Sequence, residues 1–265
     1  MNNYIFYFSG TGNSLSIAKQ ICARTQNTEL ISITNQIESG YEIEDADTIG
    51  FVLPVYLFGA PLIAEEFIKK LKIKRHKYLY VLFVHGGAPY SAVNNFKSKL
   101  NDAGLKVDAG FEIVSPDNYI AGNNPPNIEE ARDILSKSKE ELNKVIEEMK
   151  NRENSFPKIS LRKNLFGTLM RPSFKGIASK AAQKFITTND CNACGTCVKL
   201  CPRGIISINE NNRPEWIGSN CEMCFSCINL CPKKAIEIGK KTEGRNRYKN
   251  PEVTITELTV RKNEP

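Results

Sequence analysis

The chain has 265 residues, of which 41% are hydrophobic and 25% are charged, and its formal net charge is +7. This length has room for two domains, and the composition is that of an ordinary globular protein rather than a disordered or fibrous one. The longest apolar run is far shorter than a membrane span, and residues 1–4 lack the positive segment of a signal peptide, so we expect a cytoplasmic protein.

An apolar run near the start of the chain leads directly into a glycine-containing loop. Residues 4–8 are aromatic or β-branched and predict a strand, and a helical pattern follows the loop. A loop between a strand and a helix N-terminus binds anions, because free N–H groups and the helix dipole point at the ligand. The loop lacks the third glycine of a dinucleotide fingerprint and the lysine of a P-loop. It instead offers glycines, hydroxyls and amides at Ser9, Gly10, Thr11, Gly12, Asn13 and Ser14.

This loop resembles the phosphate loop of flavodoxins, which hold the phosphate monoester of FMN with hydroxyls and backbone amides rather than with cations. The resemblance implies that residues 9–14 bind FMN. A turn between a strand and a helix that binds no ligand is the alternative interpretation.

Four further strands are predicted at residues 30–33, 48–53, 78–84 and 111–114, and several of them are apolar throughout. Helical patterns lie between them: one opens at Pro61 and carries Leu71 on its apolar face, one covers 92–100, and a long one covers 128–150. Five strands alternating with helices predict an α/β fold with a doubly wound parallel sheet. The flavodoxin-like strand order 2-1-3-4-5 would place a ligand at the carboxyl ends of strands one, three and four.

Two loops at those strand ends, residues 54–61 and 85–91, resemble the flavodoxin loops that enclose the isoalloxazine ring. The resemblance implies that Tyr56 or Phe58 covers a face of the ring and that Tyr90 caps its edge. It also implies that the backbone near Gly59 forms a hydrogen bond with flavin N5. A third loop, after strand five, adds two candidate flavin contacts, and a plain connection between strand and helix is the alternative interpretation of this loop. The predicted contacts in these loops are Pro54, Tyr56, Leu57, Phe58, Gly59, Gly86, Gly87, Tyr90, Asn118 and Tyr119.

Residues 154–189 contain no acidic residue, while lysines, arginines and large apolar residues accumulate there. This stretch is too apolar for a free linker. Three interpretations remain open: a connector packed against the first domain, a docking site for an acidic redox partner, or a helix on a membrane surface.

Eight of the nine cysteines lie in two copies of one pattern. In each copy two residues separate the first three cysteines from one another, three residues separate the third from the fourth, and proline follows the fourth. This spacing is that of bacterial ferredoxins, in which the fourth cysteine of each copy binds the other cluster. We therefore predict two [4Fe-4S] clusters. Their ligands are Cys191, Cys194, Cys197 and Cys231 for cluster one, and Cys221, Cys224, Cys227 and Cys201 for cluster two.

Zinc and disulfide bonds are the alternatives for these cysteines. Zinc sites usually pair C-x-x-C units across a longer gap, and disulfides need an oxidising compartment. The clusters also change the charge balance, because each oxidised cubane with four thiolates carries about −2 and lowers the total to about +3. The net charge therefore does not indicate a nucleic-acid partner.

The ninth cysteine, Cys22, lies on the apolar face of the first helix and is expected in the core. Residues 206–208 and 236–238 alternate as short strands beside the clusters. The basic tail alternates at 253–256 and is expected to form a short strand or an arm that returns over one domain. Arg245, Arg247 and Tyr248 are candidate contacts of a partner or of the FMN region, and a solvated arm is the alternative interpretation.

Taken together, these motifs resemble flavodoxin–ferredoxin fusion proteins. The resemblance implies a flavodoxin-like FMN domain at 1–150, a basic apolar connector at 151–186, a small α+β ferredoxin-like domain with two clusters at 187–240, and an arm at 241–265. No hydrolytic triad, pair of catalytic carboxylates or nicotinamide site is recognisable, and we predict no catalytic residue.

Two functions fit these features. The first is an electron carrier that relays electrons between the clusters and FMN for a redox partner protein. The second is a flavin-dependent reductase of a small electron acceptor, such as a quinone, a nitro compound or a ferric chelate, supplied through the clusters.

Overall fold

The computed structural model describes residues 2–260 and contains one large sheet. Its strands are β1 (Asn3–Tyr7), β2 (Thr28–Ser32), β3 (Tyr41–Pro54), β4 (Leu71–His85) and β5 (Ala109–Val114). All neighbouring strands are parallel, in the order β2-β1-β3-β4-β5, which confirms the predicted topology. The carboxyl ends of β1, β3 and β4 therefore meet at one edge of the sheet.

Helices cover both faces of this sheet, which explains why its strands are apolar on both sides. They are α1 (Asn13–Cys22), α2 (Ile33–Gln36), α3 (Leu62–Phe67), α4 (Ala92–Asp102) and α5 (Ile128–Lys150). Helices α1 and α5 pack on one face, and α3 and α4 pack on the other. Helix α5 begins where the sequence predicts, because Asn127 and Glu130 form a capping box there.

Strands β3 and β4 begin earlier than predicted, at Tyr41 and Leu71. The expectation that Leu71 belongs to the helix opening at Pro61 is wrong, since that helix ends at Phe67. The extra segments pair carboxylates of β3 with cations of β4, as in Glu44–Lys74 at 2.8 Å. Charged side chains dominate both extra segments, so these segments contain no run of apolar residues that would predict a strand.

The connector forms two helices, α6 (Leu161–Met170) and α7 (Ser173–Ala181), followed by a 3₁₀ turn over Ala182–Lys184. Helix α7 buries Phe174 and Ala178 in the core on the α3 and α4 side of the sheet. In α6, Gly167 lies so close to the start of α4 that a Cβ atom there would be 2.3 Å from Ser91 Oγ. The connector thus packs directly on the sheet domain.

The cysteine-rich part contains two short antiparallel pairs and two helices. Strand β6 (Ile186–Thr187) pairs with β9 (Ile236–Glu237), and β7 (Ile206–Ile208) pairs with β8 (Pro214–Trp216). The predicted strands at 206–208 and 236–238 correspond to β7 and β9. The helices are α8 (Thr196–Leu200) and α9 (Ser226–Asn229), and their buried residues share a core with Ile120 and Ala121 of the loop after β5.

The last part of the chain returns over the sheet domain as an arm, which is one of the two predicted alternatives, and it does not form the short strand at 253–256. A short helix, α10 (Ile255–Leu258), begins there because Thr254 and Glu257 form a capping box. Residues 261–265 of the predicted arm lie outside the described residues.

Cys22 lies half-buried on α1, where it packs against the core, and burial raises the pKa of its thiol to about 11. Among the helices of residues 2–260, we find none that combines the length and apolar character needed to cross a bilayer.

Candidate functional site

A cavity of about 280 Å³ opens where the carboxyl ends of β1, β3 and β4 meet. Loops that follow these strands form one side of it, and the loop after β5 closes another side. The predicted flavin contacts that line the cavity are Ser9, Gly10, Thr11, Asn13, Ser14, Pro54, Tyr56, Leu57, Phe58, Gly86, Gly87, Asn118 and Tyr119. Three predicted contacts, Gly12, Gly59 and Tyr90, do not line it.

The phosphate loop leaves the first turn of α1 open. Gly12 precedes the helix with a left-handed φ of 108°, no side chain caps the helix, and its first turn has no acidic residue. Within the described residues, the N–H groups of Asn13, Ser14 and Leu15 have no acceptor. Such an uncapped helix N-terminus fits the phosphate of FMN, because three N–H donors and the dipole point the same way.

The side chains of the phosphate loop are held from outside the loop. Asn118 Nδ2 donates to Thr11 Oγ1 at 3.0 Å, which ties the loop after β5 to the phosphate loop. Asn13 Oδ1 accepts hydrogen bonds from Tyr248 Oη at 2.6 Å and from Asn250 Nδ2 at 3.0 Å. The sequence analysis did not name Asn250 and did not assign Tyr248 to this loop, because nothing local in the tail indicates which loop it meets.

The arm also explains the glycine at position 12. A Cβ atom on Gly12 would lie 2.9 Å from Asn250 Cβ and 3.1 Å from Val253 Cβ. Gly12 therefore supports the loop through its backbone and its close contact with the arm, behind the cavity wall.

Residues 56–59 after β3 form a tight turn in which Tyr56 N donates to Gly59 O at 2.8 Å. Its central residues, Leu57 and Phe58, have φ values of 40° and 62°, which is a strained conformation for residues with side chains. The connector stabilises this turn, because Arg171 Nη1 donates to Tyr56 O at 2.6 Å. The same guanidinium pairs with Glu65.

Gly59 and Tyr90 lie behind this turn. The N–H of Gly59 donates to Tyr56 O at 3.3 Å, and its Cα faces the side chain of Arg171. The ring of Tyr90 packs edge-on against Phe58 at 4.7 Å between centroids and reaches Phe166 of α6 at 5.9 Å. In this structure Tyr90 supports Phe58, which itself lines the cavity.

His85 and the two glycines after it line the cavity on the β4 side. Burial lowers the pKa of His85, and its Nδ1 atom is buried without a hydrogen-bond partner within the described residues. Gly86 allows the β4 loop to approach Asp117, since a Cβ atom there would lie 2.5 Å from Asp117 Cβ. Gly87 faces open space. A neutral imidazole with an unused nitrogen and an open glycine surface fit a flat polar ligand such as FMN.

The ligands predicted for cluster two surround a small cavity of about 20 Å³, which is lined by Cys201, Cys221, Cys224 and Cys227. Burial is the main cause that raises the pKa of Cys224 to about 12; the nearby Cys221 and Cys201 also raise it, and hydrogen bonds with Ser226 lower it. The fourth cysteine of the first copy thus lies beside the first three of the second copy. Four thiols around one space fit an iron–sulfur cubane.

The ligands predicted for cluster one include both buried and exposed cysteines. Burial is the main cause that raises the pKa of Cys197 to about 11, and the nearby Cys231 and Cys194 also raise it. The proximity of Cys231 to Cys197 fits the predicted ligand set. Cys194 is exposed, and a hydrogen bond from Thr196 lowers its pKa.

Throughout residues 2–260, no three His, Cys, Asp or Glu side chains converge closely enough to hold a single metal ion. All nine cysteines are free.

The loop that carries Cys221, Cys224 and Cys227 forms part of the cavity at the ends of β1, β3 and β4, which is the candidate flavin cavity. Met223 and Phe225, on either side of Cys224, both line it. Ser226 Oγ donates to Gly10 O at 2.8 Å, and a Cβ atom on Gly10 would lie 2.6 Å from Cys224 O. Only glycine fits at position 10, because the phosphate loop and the cysteine loop touch there.

A buried ion-pair group joins the same two domains. Glu222 is fully buried, accepts a hydrogen bond from Ile63 N at 2.9 Å at the start of α3, and pairs with Arg203. Arg203 also pairs with Glu66 of α3. Glu222 directly follows Cys221, and Arg203 lies two residues after Cys201. Because both cysteines are predicted ligands of cluster two, these bonds hold the predicted cluster site against the sheet domain.

Tyr56 links the two sites. Its ring lines the flavin cavity, and its hydroxyl is buried with no hydrogen-bond partner in the described part of the chain. Burial raises its pKa well above the usual value, and the nearby side chains of Cys224, Glu222 and Cys221 raise it as well. An orphaned hydroxyl between flavin cavity and cluster ligands fits a cofactor on either side.

Comparison with known families identifies both parts of the chain. Residues 4–113 match the model of a flavodoxin domain, and residues 183–232 match the model of a 4Fe-4S dicluster domain. These matches support the two predicted cofactors, FMN and a pair of [4Fe-4S] clusters. None of the curated proteins matches the chain.

Several solved structures resemble the chain in part. A Lactobacillus acidophilus NCFM flavoprotein in complex with FMN is 16% identical, with a TM-score of 0.33, and the match covers 42% of this chain and 92% of that one. Two-electron reduced Megasphaera elsdenii flavodoxin is 21% identical, with a TM-score of 0.31, covering 42% and 85%. An azoreductase from Bacillus anthracis str. Sterne is 15% identical, with a TM-score of 0.33, covering 55% and 99%.

Proposed function

Because the chain belongs to the flavodoxin–ferredoxin fusions, with a flavodoxin domain followed by a 4Fe-4S dicluster domain, we propose that it relays electrons between two [4Fe-4S] clusters and FMN. When bound, each cluster moves one electron at a time, whereas FMN can hold one or two. The observation that carries this proposal is the position of Met223 and Phe225. They flank the ligand Cys224 and line the flavin cavity, so the cluster-two loop is itself a wall of that cavity.

The burial of the cysteines gives the relay an order. Cys194 of cluster one is exposed, whereas its counterpart Cys224 of cluster two is only 8% exposed; the third cysteines of the two runs, Cys197 and Cys227, are equally buried. A redox partner therefore meets cluster one first, and cluster two lies between cluster one and the flavin cavity. Eight thiolate ligands also require a reducing environment, which agrees with the expected cytoplasmic location.

The chain's own residues bind and shield the flavin. The open first turn of α1 binds its phosphate, and the strained turn at Leu57 and Phe58 lies along the cavity. Phe225 and Phe174 exclude water from the side of the cysteine-rich domain and the connector. Burial keeps His85 neutral, so it adds no charge to the cavity.

An anaerobic reductive titration of the cofactor-replete protein, followed optically and by electron paramagnetic resonance, tests the relay. We expect an uptake of about four electrons, two for FMN and one for each cluster. On mixing with a one-electron acceptor, the cluster signals should disappear and the oxidised flavin band should return in the same time course. An uptake of about two electrons without a flavin band would contradict the proposal and leave a dicluster protein with an empty first domain.

A flavin-dependent reductase of a small acceptor is the second candidate. It is favoured by the way the cavity is covered: Tyr119 from the loop after β5, together with Phe174 and Ile177 of α7, adds side walls that electron exchange between cofactors does not require. Saturation of the turnover rate with increasing quinone, under a constant supply of reduced carrier, would support this function. A rate that rises linearly with quinone concentration, as in simple collision, would argue for the carrier.

A further inference from the structure

Helix α6 of the connector turns its polar side toward the protein. Thr168 Oγ1 donates to Asn95 Oδ1 at 3.1 Å, and Asn94 Nδ2 donates to Asn164 Oδ1 at 2.8 Å. Gly167 lies between these contacts and is buried against α4, with no room for a Cβ atom. These contacts fix the rotation of α6 about its own axis.

The opposite side of α6 is an apolar stripe that faces solvent. Leu161, Leu165 and Leu169 lie four residues apart, on one line along the helix, and are 82%, 57% and 69% exposed. Phe166 and Met170 extend the stripe beside them, at 51% and 39%. A surface helix normally has the reverse arrangement, and a continuous exposed apolar patch marks an interaction site, whereas single exposed apolar residues do not.

The charge around the stripe is of one sign. No acidic residue occurs between residues 154 and 189. Arg171 pairs with Glu65 inside the protein, but the other cations of α6 and its surroundings form no ion pair with any described residue. These exposed cations are Lys158, Arg162, Lys163, Lys180 and Lys184. Lys158, Arg162 and Lys163, at the start of α6, thus place positive charge beside the stripe, and no ion pair within residues 2–260 neutralises it.

We propose that this α6 stripe docks the protein on an anionic lipid surface. A stripe of leucine and phenylalanine among cations is the composition of helices that lie in a bilayer interface, where apolar side chains enter the acyl boundary and cations meet phosphates. A protein partner would instead need both a groove that fits this convex ridge and a rim of negative charge around that groove.

Docking in this orientation brings the flavin cavity close to the lipid. Phe166 of the stripe packs against Phe58 at 5.7 Å between ring centroids, and Phe58 lines the cavity. Ile177 of α7 also lines the cavity and is 43% exposed. The cavity wall and the α6 stripe are therefore continuous, so a docked molecule holds its cavity beside the lipid headgroups.

Flotation of the cofactor-replete protein with vesicles tests the proposal. One set of vesicles is phosphatidylcholine alone, and the other contains phosphatidylglycerol in addition. We expect binding to the anionic vesicles, loss of binding as salt is raised, and little binding to neutral vesicles. The variant L161S/L169S should bind anionic vesicles about tenfold or more weakly, because two exposed apolar anchors are removed.

The matched control is I128S/I217S, which removes two exposed apolar side chains, 72% and 64% exposed, that lie outside the connector. It should bind like the unaltered protein, and flavin and cluster absorbance should be retained in both variants. Failure of the unaltered protein to float with anionic vesicles overturns the proposal, as does equal binding by the two variants. Light scattering in parallel covers a further outcome: a dimer that L161S/L169S converts to monomer would make the stripe an interface between copies and overturn lipid docking.

Discussion

The two copies of the cysteine motif share one backbone but have different surroundings. Three corresponding pairs of residues, each thirty positions apart, adopt the left-handed conformation with similar φ values. The pairs are Ala193 at 56° and Met223 at 53°, Gly195 at 71° and Phe225 at 56°, and Gly204 at 60° and Lys234 at 50°. The motif therefore determines the loop that wraps a cluster, whichever residues occupy it.

The surroundings of each loop differ because the loop of the second copy packs against the phosphate loop through Cys224 and Ser226. Cys194 in the first copy is exposed, whereas its counterpart Cys224 is buried beside the flavin cavity. Asn192 in the first copy is exposed, whereas its counterpart Glu222 is buried in an ion pair. Ligand spacing thus makes the two clusters alike, and domain packing makes one an outer cluster and the other an inner one.

Removal of one ligand from each copy should give the largest difference. Cys194→Ser and Cys224→Ser should each lose one cluster and lower the electron uptake from about four to about three. In Cys194→Ser, flavin reduction by a small reductant should persist through the inner cluster. In Cys224→Ser, a reductant that reacts at cluster one should no longer bleach the flavin quickly. Iron content and stopped-flow absorbance measure both effects, and equal flavin bleaching in the two variants would contradict the inner and outer order.

Arg203→Ala tests the ion pairs that hold the inner copy. It leaves the buried carboxylate of Glu222 without its partner, so we expect a loss of about 3–5 kcal/mol in the free energy of unfolding. The corresponding residue after the second copy is Lys233, which is exposed, and Lys233→Ala should change stability by less than about 0.5 kcal/mol. Urea unfolding of the cofactor-replete proteins compares them, and similar losses would mean that domain packing does not depend on this pair.

Phe225→Gly and Gly195→Ala compare the left-handed positions of the two loops. Removal of the buried Phe225 ring should cost about 3–5 kcal/mol, offset by about 1–2 kcal/mol of relieved strain, and should weaken FMN binding because the ring lines the cavity. Gly195→Ala places a methyl group in open space at a φ of 71°, which costs about 1–2 kcal/mol. Its FMN affinity should not change. Fluorescence titration of the flavin distinguishes the variants, and unchanged affinity in Phe225→Gly would remove that ring from the flavin site.

The smallest expected difference concerns the hydroxyl side chain that lies two residues after the second cysteine of each motif, which is Thr196 in the first copy and Ser226 in the second. Ser226 Oγ donates to Gly10 O of the phosphate loop at 2.8 Å, whereas Thr196 Oγ1 contacts only Cys194 Sγ, at 3.3 Å. Ser226→Ala should therefore lower stability by about 1 kcal/mol, and Thr196→Ala should lower it less. Thermal unfolding of the two holoproteins measures this, with a larger loss in Thr196→Ala as the contradicting result.

Local patterns were sufficient to predict the elements of the site. The glycines and hydroxyls of residues 9–14, the aromatic turn at Tyr56 and Phe58, and the cysteine spacing all concern contacts within a few residues of the chain. The contacts that the sequence analysis missed join residues that are far apart along the chain. Arg171 holds the turn at residue 56, and Tyr248 and Asn250 hold Asn13, because the chain folds back across the sheet.

The sequence by itself indicated the alternation of strands and helices and the two cysteine runs, because hydrophobic period and cysteine spacing are local requirements of backbone geometry, and the flavodoxin resemblance supplied the strand order. Only the tertiary structure decided which cluster lies at the flavin cavity and which side of α6 faces outward. Those outcomes depend on packing between distant segments, such as Cys224 on Gly10 and Gly167 on Ser91. Two copies of one motif cannot differ in their local rules, so the difference between them arises from the surface against which one of them is buried.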